Sequence, residues 1–209
     1  MITGPAAKQQ INLTAPASRI CKGKRGRDWV QGDNLVITVG ANQLILTGAL
    51  TPTGTDHGAL HPSLHAARDN CRTAGIPDRM RAHLADAGFA SEAACTTPAE
   101  GILLICTTNE ANQTGQTPTG DDTDQTQPTT SPNRQTMTQR LATPAGSSLY
   151  RRRSAMVEPA FAQLFNPGGR RLHFRGPAKH TEITIMITSH NAGKYLRSRH
   201  PRKPTTRAT

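Results

Sequence analysis

At 209 residues, with 34% apolar and 3% aromatic side chains, the chain has room for one domain, or one plus a tail, and little material for a large packed core. Its net charge of +11 sits at one end, since residues 1–150 balance 12 Lys+Arg against 12 Asp+Glu while residues 151–209 carry 13 against 2; such an end points to a phosphate-backbone partner, the bland alternative being a solvated basic tail. No apolar run, Gly101–Cys106 included, nears the ~20 residues that cross a bilayer, and no signal peptide is visible, so a soluble, cytoplasmic chain without a membrane partner is expected.

Residues 1–20 read as irregular. Asn34–Val39 and Gln43–Thr47 are β-branched apolar runs separated by Gly40-Ala41-Asn42, which predicts a hairpin, with Trp29-Val30 extending its first strand backwards. From His61 to Ala74 the apolar positions Leu64, Ala67 and Cys71 recur near helical spacing, and Gly75 suits a stop. Met80–Leu84 leads into Asp86 as a short strand, and Gly101–Thr107 reads as a second, buried one. Residues 109–140 begin with NEANQTGQTPTGDDTDQTQPTTSPNRQT, a run without a large apolar residue, and are expected to form a disordered polar insertion. Beyond it Leu149, Met156, Val157, Ala160, Phe161 and Leu164 share a helical stripe that includes Glu158, with a kink or break expected at Pro159. Ile183–Thr188 has the β-branching of a strand, and residues 198–209 read as a disordered basic tail. Cys21, Cys71, Cys95 and Cys106 lack CxxC spacing and read as isolated reduced thiols. The His57, His61 and His65 series does not make a zinc site, because Gly58 and Pro62 interrupt the helix that would align it.

The segment YRRRSAMVEPAFAQLFNPGGRRLHFRG, Tyr150 to Gly176, sets one carboxylate among six arginines. Asp86 closes a short apolar run in HLADAGFASEA, and by spacing alone it is a turn or cap residue as readily as a site. These two segments, in this order and followed by SHNAGKYLR, resemble the DDE transposases of bacterial insertion sequences. WVQGDN at Trp29–Asn34, Thr55-Asp56 and Leu60-His61-Pro62 fit the same resemblance.

The resemblance implies an α/β fold: a partial ribonuclease H-like catalytic core, a mixed sheet with flanking helices, the core proper over 21–108 and the catalytic helix segment over 141–197. It implies Asp86 and Glu158 as catalytic, metal-binding carboxylates for Mg²⁺ or Mn²⁺, and a helix rather than a strand at His190. It also implies Tyr150, Arg153, Arg170, Arg171 and Arg175 as DNA contacts. The partners implied are transposon ends and target DNA, with a second copy or an intact transposase, and a nucleoid location when DNA is bound. The first catalytic Asp of the family has no counterpart here, since Asp28, Asp33 and Asp56 do not match its motif. The chain therefore reads as a truncated transposase, inactive alone. The alternatives are a non-enzymatic basic DNA-binding protein and a decayed reading frame without a stable fold.

Overall fold

The first strand pair lies partly in the region expected to be irregular. The structure, a computed structural model, describes residues 13, 16, 18–22, 29–51, 53, 55–77, 80–96, 101–105, 132–166, 169 and 171–199. In it β1 (Arg19–Lys22) pairs antiparallel with β2 (Trp29–Gly32), Cys21 opposite Val30 and Lys22 opposite Trp29. Trp29-Val30 thus do not lengthen the next strand; Asp33 separates the two.

The predicted hairpin is β3 (Asn34–Val39) against β4 (Ile45–Thr51). Gln43 closes the turn with φ 65°, and Gly40 N–H donates to the Leu44 carbonyl at 2.9 Å. The register shifts between Thr38 and Val39, which pair with Thr47 and Ile45, so Leu46 is left over as a bulge. Asn70 on α1 (Leu60–Thr73) donates to the Leu46 carbonyl at 2.8 Å, which satisfies the group the bulge releases. Helix α1 stops as expected: Gly75 has φ 69°, Ile76 N–H bonds the Cys71 carbonyl and Gly75 N–H that of Arg72, the two bonds of a Schellman cap.

β5 (Ala82–Ala85) runs parallel to β6 (Ile102–Ile105), and between them lie a 3₁₀ turn at Ala87–Phe89 and the short helix α2 (Glu92–Cys95), capped by the Ser91 hydroxyl. The described strands therefore make three two-stranded sheets, not the one mixed sheet expected; the α/β class holds, with a small sheet content.

Three helices follow: α3 (Pro132–Ala142), α4 (Pro144–Phe165) and α5 (Ala178–Arg199). Helix α3 corrects the C-terminal part of the expected insertion. Met137 and Leu141, four apart, are both buried and join the cluster of Leu60, Ala85, Leu104 and Ile105. The rest of the insertion, 109–131, lies outside the described residues. Helix α4 starts with Thr143, whose hydroxyl accepts from Gly146 N–H, and with Pro144 in the first turn. It runs through Pro159 without the expected break. The ring removes the bond to the Ala155 carbonyl, and Ala155 is on the exposed side, while Ala160 and Leu164 hold the helix to a second cluster with Ile45. Helix α5 overrides the β-branching of Ile183–Thr188, as the resemblance implied, and continues to Arg199, past the expected start of the tail.

Helix α5 packs on β4 through a close approach at Gly48, where an added Cβ would collide with the Ile187 side chain. Its inner side then clasps the hairpin along its length. Lys179 Nζ reaches both carboxylate oxygens of Asp33 at 2.7 Å, with each side chain 10% exposed. The Asn191 carboxamide accepts from Ile45 N–H and donates to the Ile45 carbonyl, both at 2.9 Å. His190 bonds the Gln43 carbonyl at 2.9 Å, and Lys194 donates to the Gln43 side chain. The outer edge of β4 is thus covered by side chains at its turn end.

Candidate functional site

Asp86 follows directly on β5, in extended conformation, and its backbone carbonyl accepts the first bond of the 3₁₀ turn from Phe89. Its side chain caps nothing. Instead Oδ2 lies 3.3 Å from Nη1 of Arg153 on α4, with the two side chains 57% and 24% exposed. One turn earlier on α4, the Tyr150 hydroxyl donates to the Ala85 carbonyl at 3.0 Å, and the Arg153 guanidinium stacks 5.6 Å from the Tyr150 ring centroid. The i,i+3 spacing puts both side chains on one side of α4 and so onto the same strand end. The structure therefore brings together three of the predicted residues, Asp86, Tyr150 and Arg153. Arg153 Nε is buried without a hydrogen-bond partner among the described residues.

Glu158 is not among them. It was expected on the inward stripe; it is exposed. Five residues beyond Arg153 and two before the fully buried Ala160, it is turned through roughly 140° from the one and 200° from the other at about 100° per residue. Asp56, which its sequence context did not promote, borders the same cavity as Asp86. It accepts from the Asn34 carboxamide, and an added Cβ on Gly88 would stand 3.0 Å from its Oδ2. Asp56, Asp86, Arg152 and Arg153 border one cavity of about 760 Å³ between β3, β5, α1 and α4, whose remaining lining is mostly apolar. His83, on the same lining, is pushed down to about 4 by burial first, then by the His61 and Arg68 charges nearby. His61 itself bonds the Ala93 carbonyl, and among the described residues no group of three His, Cys, Asp or Glu converges.

The basic residues divide into two sets. Arg151 and Arg152 are exposed on α4, and Arg171 and Arg175 are exposed in the connection to α5; Arg170 lies outside the described residues. Glu182 fixes this connection. Its carboxylate accepts from the backbone N–H groups of His173 and Phe174 at 2.9 and 3.0 Å and from His173 Nδ1 at 2.8 Å, and these bonds, the backbone ones foremost, hold its pKa below the ordinary carboxylate value. Arg171, Lys194 and Arg197 line a second, open concavity of about 980 Å³ beside it. The roles of Glu182 and Lys179 carry no motif or periodicity, and the resemblance-bearing segments that hold Asp56 and Asn191 gave no sign of theirs. A lone Glu in a basic stretch was the sole signal that could have marked Glu182.

Among known families, the chain matches the transposase DDE domain over residues 105–196, under half its length. The match covers α3, α4 and most of α5, with Tyr150, Arg153, Glu158, Arg171 and Arg175, and it bears out the resemblance to DDE transposases. Asp86 lies outside it. No curated protein and no solved structure matches the chain. Transposases of this family generally use divalent metal ions. The carboxylates here do not fit such an ion as they stand: Asp86 is paired with Arg153, Asp56 is bonded to Asn34, and Glu158 is exposed and does not line the cavity those two border. No helix among the described residues is long and apolar enough to cross a membrane.

Proposed function

We propose that this transposase DDE segment is part of a ribonuclease H-like core that binds DNA along its basic side and does not cleave DNA by itself. The observation that carries the second half is the pairing of Asp86 with Arg153 while Glu158 faces solvent on another side of α4. Phosphoryl transfer on DNA needs carboxylates that converge on the reacting phosphate and its metal ions. By the resemblance Asp86 and Glu158 stand for two of the family's three acids, and of the two only Asp86 borders the cavity. The order β3–β4 hairpin, α1, β5 ending at Asp86, β6 and then α4 supports the ribonuclease H-like reading.

Binding rests on charge. Arg151 and Arg152 on α4, with Arg170, Arg171 and Arg175 beyond it, offer cations that track a phosphate backbone. Arg153 and Tyr150 hold the turn at Asp86, and a DNA phosphate reaching them competes with that carboxylate for Arg153. Element ends and target DNA are the natural duplexes, and an intact transposase supplies the catalytic centre.

Two measurements test this. Fluorescence anisotropy with a duplex oligonucleotide is expected to give affinity that falls linearly in log–log form with salt and is retained in Asp86→Asn and Glu158→Gln. Salt-independent binding would overturn the electrostatic reading. Nicking of supercoiled plasmid in Mg²⁺ or Mn²⁺ is expected to be absent. Clear cleavage that disappears in Glu158→Ala would overturn the claim of inertness.

A further inference from the structure

Of the four phenylalanines, Phe89 packs on one core cluster, Phe165 on the other, and Phe161 stacks on Phe165. Phe174 joins none of them and is 60% exposed. A second exposed ring, Tyr195, already carries the Arg199 guanidinium 5.3 Å from its centroid; among the described residues Phe174 stacks on neither a ring nor a guanidinium. A single exposed apolar side chain is ordinary. This one differs in how its backbone is held and in the charge around it. Glu182, its side chain 11% exposed, accepts from the N–H groups of both His173 and Phe174, and Leu172 is half-buried. The main chain is thus tied to α5 at the residue that keeps its ring in solvent. From Gly169 to Pro177 the charged side chains are Arg170, Arg171 and Arg175, without an acid. Arg171 and Arg175 are exposed and form no ion pair among the described residues.

We propose that Phe174 is a stacking platform for an unpaired base of DNA, with Arg171 and Arg175 on the phosphates to either side of that base. This rests on the DNA-binding reading and adds to it a single-stranded nucleotide as part of the ligand. Every base has an apolar face, so an open ring among cations takes any base and adds affinity without sequence preference. A base already unpaired spares the cost of opening the helix, which one ring would otherwise have to offset. Holding the ring in place beforehand lowers the ordering cost of the contact. Glu182 is the positioning residue. Its carboxylate is taken up by the N–H groups of the turn, which leaves Arg171 and Arg175 for phosphate.

Fluorescence anisotropy with the full chain and three probes tests this: a blunt duplex, the same duplex with an unpaired thymine tail, and the same duplex with an abasic tail of equal length. The abasic tail keeps the phosphates and removes the bases, so it separates stacking from charge. The thymine tail is expected to bind about tenfold more tightly than the abasic one. That difference is expected to vanish in Phe174→Leu and to persist in Phe174→Trp, with affinity for the blunt duplex unchanged in both. Equal affinity for the two tails, or a difference that survives in Phe174→Leu, overturns the proposal. So does a matching loss on the blunt duplex in Phe174→Leu, which would place the ring against paired DNA. Blunt-duplex binding with equal tails would sink the stacking site alone, whereas no binding to any probe would sink the DNA-binding reading with it.

Discussion

Lys179 Nζ holds both carboxylate oxygens of Asp33 at 2.7 Å, and the pair pins the start of α5 to the start of the hairpin across 146 positions of sequence. Both side chains are 10% exposed, so removing one partner strands a buried charge. Lys179→Ala is expected to cost about 3 kcal/mol of unfolding free energy in urea titration. The paired replacement Asp33→Leu with Lys179→Met is expected to cost less than either single change, and the reverse order would show that the ion pair is not buried in solution.

Asn191 does the work of a neighbouring strand for Ile45, with one bond accepted and one donated. Asn191→Leu leaves both backbone groups without partners on a buried residue, a loss of about 2 kcal/mol. Asn191→Asp keeps the acceptor and loses the donor, so its cost falls between the two. Chemical denaturation with unchanged slope would read both.

The Tyr150 hydroxyl is engaged by the Ala85 carbonyl. Tyr150→Phe is therefore expected to lower stability by about 1 kcal/mol and to leave DNA affinity at 0.1 M-range salt essentially unchanged. An affinity loss of tenfold or more without a stability change would return Tyr150 to the DNA contacts.

His83 has its folded pKa at about 4, below the ordinary 6.5, because burial and the nearby His61 and Arg68 charges disfavour the imidazolium. The unfolded chain therefore takes up this proton first, and stability is lost as pH falls from 6.5 toward 4. Glu182 acts lower on the scale: with its pKa held below the ordinary 4.5, it stabilises above that pH and its contribution is lost as pH falls through the depressed value. Thermal melts between pH 7 and 4 are expected to show a decline that flattens in His83→Gln. An unaltered decline would place its origin elsewhere.

Arg171 and Arg175 are exposed in the basic connection. Replacing either with Ala is expected to weaken DNA binding alike on all sequences and to reduce the slope of log affinity against log salt by about 1. A change of sequence preference in either variant would instead indicate base contact.

Much of the local structure was legible in the sequence because local chemistry decides it. The hairpin followed from two β-branched runs around Gly40-Ala41-Asn42, and the end of α1 from Gly75. The strand before Asp86 was visible in a short apolar run bounded by polar residues. Helix α3 was hidden because its anchors, Met137 and Leu141, are two residues at the end of a long polar stretch. Helix α5 was ambiguous because Ile183–Thr188 suits either state, and its clasp on Gln43, Ile45 and Asp33 settles it as a helix.

The site divides in the same way. Composition, helical period and chain order already place the charge after residue 150, Tyr150 and Arg153 on one helix side, and Asp86 at a strand end. That Arg153 meets Asp86 and that Glu158 turns to solvent came from the packing of distant elements. Those outcomes depend on how α4 rotates against two sheets, and that rotation is set by the burial of Ala160 and Leu164 far from the residues it aims.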